Sequence, residues 1–241
     1  MKQFVQDYQI TLPLQDTPLL PIGNSASPKN VVFHIYENNS RHAQVLDIGF
    51  GEGGLGQLIK SNPQTAHWEI DGVDGWEPNC SNKTLLDKGI YRNIWCGLVQ
   101  NLKFDQLKQY DILCLLDVIE HLNQETATWL MRTLLTYMAD DAALFVSTPL
   151  WYFPQDSLQE NDLEAHLVGI PASSMMALIP THYAINDPLI GGFVYSKKSL
   201  DYIEFFKPTA DRTFSFEKGM NIVRSIGMRL DKGTVFKTNL I

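Results

Sequence analysis

The chain has 241 residues, of which 44% are hydrophobic and 19% charged, with a formal charge of -8 at pH 7. This composition excludes a disordered tail, and the length supports one large domain whose core needs neither disulfides nor a structural metal. The acidic balance argues against a phosphate backbone as the main partner, so nucleic acid is not expected.

The apolar runs Leu113 to Ile119 and Trp129 to Met138 are broken by Asp117 and Arg132 and fall short of the ~20 residues of a spanning helix. The opening MKQFVQDYQITLP lacks the apolar core of a signal peptide. A soluble, cytoplasmic protein without a membrane partner is expected. Cys80, Cys96 and Cys114 have no CxxC spacing, which suits reduced thiols better than a disulfide framework or a zinc site.

Residues 1–43 are punctuated by Pro13, Pro18, Pro21, Gly23 and Pro28. They read as an N-terminal lid or edge extension with a short helix around Val31 to Tyr36. From 44 to 150, short apolar runs alternate with amphipathic stretches, the rhythm of strands joined by crossover helices. The expected strands are Gln44 to Ile48, Trp68 to Asp74, Tyr91 to Gly97, Asp111 to Leu116 and Ala143 to Ser147. A helix is expected from Gln124 to Met138, capped by Asn123, with Leu130, Leu134 and Met138 on its core face.

Residues 151–241 open on WYFPQDSLQENDLEAH, an irregular stretch too long for a passive connection and read as an acceptor loop. Two strands within Thr181 to Lys197, split at Asp187 and Pro188, a helical stretch and a short final strand then complete the chain. The fold class is α/β: a Rossmann-like, mostly parallel sheet with helices on both faces.

VLDIGFGEGGLG places Gly49, Gly51, Gly53 and Gly54 between a strand and a short helix that ends at Pro63. Such glycines let the backbone turn tightly and approach a ligand. Gly49, Gly51 and Gly54 also satisfy GxGxxG, which makes an NAD(P)-dependent oxidoreductase a competing reading. Asp47 and Glu52 argue against it, because they would face a dinucleotide pyrophosphate with like charge. The ammonium and sulfonium of S-adenosylmethionine turn the same carboxylates into an attraction. Asp74, at the end of the second strand, suits a ribose diol in either reading.

Together, the DxGxGxG of Asp47 to Gly53, the acid at Asp74 and DVIEHL at Asp117 to Leu122 resemble the class I S-adenosylmethionine-dependent methyltransferases over residues 44–150. The resemblance implies seven strands of which only the last is antiparallel. It places the methionine part of S-adenosylmethionine on the glycine loop and the ribose on Asp74. Many relatives carry an acid after the third strand for the adenine amine; CGLVQN offers Leu98 and Val99 instead, so adenine is expected against Leu98 and Trp76.

Methyl transfer from a sulfonium needs alignment and exclusion of water, and a base or metal only when the acceptor is a hydroxyl of high pKa. His121 and Glu120 stand at the acceptor position, Asp117 beside the cofactor, and His166 follows in EAHLVGIP, before a helix opening at Pro171. No metal ligand is assigned. A related ExxEH with a later histidine holds a divalent ion in the small-RNA 2'-O-methyltransferases, which makes metal-assisted methylation of an RNA ribose an alternative, with Asp117, Glu120, His121 and His166 as the ligands. The leading expectation is O-methylation of a small-molecule or sugar-like acceptor, with Trp151, Tyr152 and Phe153 as an aromatic wall. A cofactor-binding subunit without activity is a further possibility.

Overall fold

A computed structural model describes residues 9–10, 42–157, 159, 163–186, 189–226 and 235–237. One twisted sheet organises them. In chain order its strands are β1 (Gln9–Ile10), β2 (Gln44–Ile48), β3 (Glu69–Asp74), β4 (Asn93–Cys96), β5 (Ile112–Leu116), β6 (Ala143–Pro149), β7 (His182–Asn186), β8 (Ile190–Tyr195) and β9 (Val235–Lys237). They lie side by side as β1-β9-β7-β8-β6-β5-β2-β3-β4.

β4, β3, β2, β5 and β6 pair in parallel; β8 runs antiparallel to β6 and to β7. The seven strands from β4 to β7 therefore form the expected sheet, in which only the last strand in sequence is reversed. Two short strands extend it: β9 joins β7 and β1 joins β9, both antiparallel. The helix expected at Val31 to Tyr36 lies outside the described residues.

The strands read as apolar runs because helices cover both faces of the sheet. Side chains alternate: Leu46, Ile48, Leu113 and Leu115 enter one core with Leu130, Leu134 and Leu135. Val45, Ile112 and Cys114 enter the other with Leu55, Ile59 and Tyr91. Helices α1 (Gly54–Ser61), α2 (Glu77–Cys80) and α3 (Lys83–Asp87) follow β2 and β3. Helix α4 (Gln124–Tyr137) begins where its sequence places it, with Asn123 Oδ1 accepting from Thr126 N at 2.9 Å.

Most boundaries shift by a residue or two from expectation, and three of the shifts have a local reason. β4 begins at Asn93 rather than Tyr91, because Tyr91 is fully packed below the glycine loop and Arg92 turns to the buried Asp71. β6 runs on through Pro149, where its last pair with β8, Pro149↔Ile190, is formed. Pro171 caps helix α5 (Ala172–Ala177) instead of occupying its first position. The stretch between Phe153 and Val168 carries no regular element among its described residues.

Candidate functional site

The site lies at the carboxyl ends of the parallel strands, where the chain leaves β2, β3, β5 and β6. After β2, Gly49 adopts φ +74°, and a Cβ there would come 2.5 Å from Val118 Cγ2, so glycine brings this loop against the segment after β5. Gly51 has φ +55°, and an added Cβ would meet nothing within 4 Å. That open space over a backbone conformation favouring glycine leaves room for a ligand to approach the loop. Gly53, at φ +81°, precedes helix α1 (Gly54–Ser61) and packs on Leu85. Gly56 is missing from the sequence assignment, yet a Cβ there would lie 2.6 Å from Tyr91 Cε2.

Asp47 points down rather than into that open space. It is 2% exposed, and its Oδ2 accepts from the Tyr91 hydroxyl at 2.7 Å. Burial and the neighbouring Asp47 charge push the Tyr91 phenol well above its ordinary pKa, so it stays the donor. The alternation of β2 fixes this direction, since Asp47 shares the Val45 face. Asp74 lies nearer the loop: Oδ2 accepts from Gly51 N at 2.9 Å and Oδ1 from Trp76 N at 2.8 Å. Asn79 Nδ2 adds a longer bond of 3.3 Å to Oδ2. A carboxylate oxygen accepts more than one bond, so a diol can share these atoms.

Trp76 and Asn79 also line a cavity of about 360 Å³ with Glu52, Gln57, Pro78 and Asn82. On the other side of Asp74, Leu98 is 47% exposed beside Gly75. Cys80 Sγ lies 3.3 Å from the Asp74 carbonyl oxygen, and burial raises its pKa to about 12, which keeps it a thiol.

The second half of the site grows from β5. Asp117 takes φ +56° without being glycine, and its Oδ1 accepts from Ser147 Oγ at 2.8 Å. The turn Ile119–His121 follows. Glu120 is buried, with Thr148 Oγ1 donating to its Oε2 at 3.1 Å. Burial, with Asp117 nearby, holds this carboxyl well above its ordinary pKa.

His166 is 5% exposed, and its ring lies edge-on to that of His121 with centroids 4.7 Å apart. Its Nδ1 lies 2.7 Å from the Phe153 carbonyl oxygen, an acceptor only, so Nδ1 carries the proton and Nε2 the lone pair. Burial, and then the His121 charge, lower its pKa to about 4. His121 Nδ1 faces the Ala165 carbonyl oxygen at 3.3 Å in the same manner.

Glu120, His121 and His166 each direct a ligand atom into one group, all within 4.8 Å of one another. Two imidazoles anchored through Nδ1 and one carboxylate anchored by a hydroxyl form a donor set suited to a divalent cation. Asp117 stands outside this group. Its Oδ1 is held by Ser147, and Asp reaches less far than the Glu of ExxEH.

The aromatic residues after β6 gather as well. Trp151 packs on Phe214 and Phe153 on Phe216, with ring centroids 5.2 and 5.0 Å apart. Phe153 is 39% exposed and lies 5.9 Å from the His166 ring.

The structure therefore brings Asp74, Trp76 and the glycine loop together, and separately Glu120, His121 and His166. Sequence reasoning missed Tyr91, Asn79, Ser147 and Thr148. Asn79 lies five residues after Asp74, within the four-residue helix Glu77–Cys80 that brings its side chain back to that carboxylate.

A family model described as a methyltransferase domain matches residues 27–179. No curated protein matches the chain. Among solved structures, the N-terminal domain of EvdMO1 with SAH bound is 17% identical, with a TM-score of 0.43 over 75% of this chain and 71% of that one. The PH0226 protein from Pyrococcus horikoshii OT3 is 13% identical, with a TM-score of 0.47 over 70% of this chain and 88% of that one. Coclaurine N-methyltransferase bound to N-methylheliamine and SAH is 16% identical, with a TM-score of 0.41 over 53% of this chain and 40% of that one.

Proposed function

Starting from the chain's membership of the methyltransferase-domain family, which makes it an S-adenosylmethionine-dependent methyltransferase, we propose that it methylates a hydroxyl oxygen of a small-molecule or sugar-like acceptor. The observation that carries this reading is the pair of histidines beside Glu120, His166 buried and His121 half-buried, gathered past the carboxyl end of β5. A hydroxyl is the acceptor that most needs such a group, because its proton must leave as the new bond forms.

The cofactor supplies a methyl group on a positively charged sulfur, and that carbon–sulfur bond breaks as the acceptor oxygen bonds to carbon. The residues of the chain do the rest. Gly49, Gly51 and Gly53 give the backbone room at the methionine end, and Asp74 accepts from the ribose hydroxyls. Trp76 and Leu98 border the adenine. Asp47 acts from below, fixing the loop through Tyr91 and contributing negative charge at short range. Asp117, held by Ser147, turns the chain between cofactor and acceptor.

His121 receives the acceptor proton, and the neutral His166 keeps a second positive charge from competing with it. The face of Phe153 takes the apolar side of the acceptor. In this reading all 241 residues form one domain, divided at 43/44 and 150/151 into extension, cofactor half and acceptor half. No described helix is long and apolar enough to cross a membrane. The described cysteines are free, which fits the reducing cytoplasm.

The ligand group of Glu120, His121 and His166 favours a second reading, in which a divalent cation lowers the pKa of the acceptor hydroxyl, as an RNA ribose would require. A thermal-shift panel with S-adenosylhomocysteine, NADH, Mg2+, Mn2+ and EDTA tests both. Ligand present at ~100 times its Kd adds about 2.7 kcal/mol of stability. Stabilisation by S-adenosylhomocysteine alone supports the metal-free reaction. A further metal-dependent shift that is lost in His166→Ala moves the metal-assisted reaction to first place, and stabilisation by NADH alone overturns both.

A further inference from the structure

We propose that residues 163–167 of the acceptor loop form a strap that closes the adenine end of the cofactor site and sets the two acceptor histidines, with Leu163 as its positioning residue. The proposal rests on the methyltransferase reading and extends it to a segment outside the cofactor-binding half. Its basis is a contact between distant parts of the chain. A methyl group built on Gly75 would lie 2.9 Å from Leu163 Cδ1 and 3.1 Å from Leu98 Cδ2. Leu163 and Leu98 thus both lie over Gly75, between Asp74 and Trp76.

Leu163 has no obvious reason to be there for folding. It is 49% exposed and adopts φ +61°, a conformation unfavourable for a branched apolar side chain. Backbone strain of this kind persists where surrounding contacts over-determine it, and ligand clamps are a common setting. The contacts that do so follow immediately. Gln155 Nε2 donates to the Glu164 carbonyl at 2.9 Å, and His166 N donates to the Gln155 carbonyl at 2.9 Å. Ala165 presents its carbonyl to His121, His166 donates through Nδ1 to Phe153, and Leu167 N donates to the Glu120 carbonyl at 2.8 Å.

Leu163, Ala165, His166 and Leu167 therefore each meet one part of the site, from the adenine end to the acceptor histidines, and Glu164 is tied to Gln155. Adenine bordered by Leu98 and Trp76 completes an apolar enclosure with Leu163, and occupancy there reaches His121 and His166 through a short, hydrogen-bonded piece of backbone. Binding and acceptor geometry become coupled without contact between adenine and imidazole.

Calorimetric titration with S-adenosylhomocysteine and with adenosine, which fills only the far end of the site, tests the proposal in the full chain. Leu163→Ala is expected to weaken both by about tenfold, as half-buried apolar contact is lost, and Leu163→Met to retain affinity within about twofold. Unliganded melting of Leu163→Ala should match the parent, since the side chain is half exposed, and Leu163→Gly should melt no lower, since glycine relieves the backbone.

Saturating adenosine should shift the imidazole NMR signals of His121 and His166 in the parent protein and leave them unmoved in Leu163→Ala. Equal or tighter S-adenosylhomocysteine binding by Leu163→Ala, or histidine signals unmoved by adenosine in the parent, overturns the strap. A parent protein that binds no S-adenosylhomocysteine overturns the methyltransferase reading itself, which is a different result.

Discussion

Two residues of the cofactor half illustrate how differently a carboxylate and a glycine act. Gly51 is at φ +55° with open space above its Cα, so Gly51→Val adds both strain and bulk where the ligand would lie. Loss of S-adenosylhomocysteine binding with at most a small fall in melting temperature is expected, and normal titration would remove the ligand from this loop. Asp74 holds Gly51 and Trp76 by backbone bonds of 2.9 and 2.8 Å and is also the proposed partner of the ribose. Asp74→Ala should therefore weaken S-adenosylhomocysteine by roughly 1.5 to 3 kcal/mol, the loss of bonds to a charged acceptor. Unchanged affinity would place the ribose elsewhere. His121→Ala should keep cofactor affinity while turnover falls roughly 100-fold, measured with any accepted hydroxyl substrate. Retained turnover would return His121 to a structural role.

At the scale of the element, α4 shows how a sequence pattern becomes packing. Its buried side chains include Leu130, Leu134 and Leu135, all 0% exposed. Leu134→Ala should cost about 2 to 5 kcal/mol in urea unfolding, and a loss below about 1 kcal/mol would mean that the site collapses freely. This helix, its Asn123 cap and the five parallel strands were legible because periodicity, capping and burial all point to the same elements. The turn after β2 was legible too, since clustered glycines mark backbone that takes positive φ, as Gly49, Gly51 and Gly53 do. The direction of Asp47 was not. Its partner Tyr91 is 44 residues away, and only the strand alternation and the packing of Gly56 on Tyr91 reveal it. The meeting of Leu163 with Gly75 was illegible for the same reason, because an irregular loop has no period to project across space. The chain outside residues 44–150 was read more coarsely: a short final strand was expected, but the antiparallel pairing of β9 with β7 and of β1 with β9 had no local signal.

The whole molecule responds to pH through groups whose shifts oppose one another. In the buried acceptor cluster Glu120 is held protonated by burial and by Asp117 and Glu164, while burial and His121 hold His166 neutral down to about pH 4. In the unfolded chain, carboxyl and imidazole titrate at their ordinary values of 4.5 and 6.5, so between those values Glu120 is ionised and His166 charged. The raised carboxyl and the lowered imidazole therefore contribute to the pH dependence of stability with opposite signs across that window. Single substitutions separate the two. In Glu120→Gln only His166 remains, with its folded pKa depressed; stability is full above pH 6.5 and falls as pH drops towards about 4, by up to about 1.4 kcal/mol per unit. In His166→Asn the sign reverses. Glu120, with its folded pKa raised, is then fully stabilising below pH 4.5, and stability falls as pH rises above it. Urea unfolding of the metal-free protein in chelator at several pH values between 4.5 and 7 checks this, with the parent as reference for all other titrating groups. Curves for the two variants that diverge from the parent in opposite directions support a shared, buried cluster. Parallel curves would mean that water enters between Glu120 and His166 and that the two groups titrate as they do in the unfolded chain.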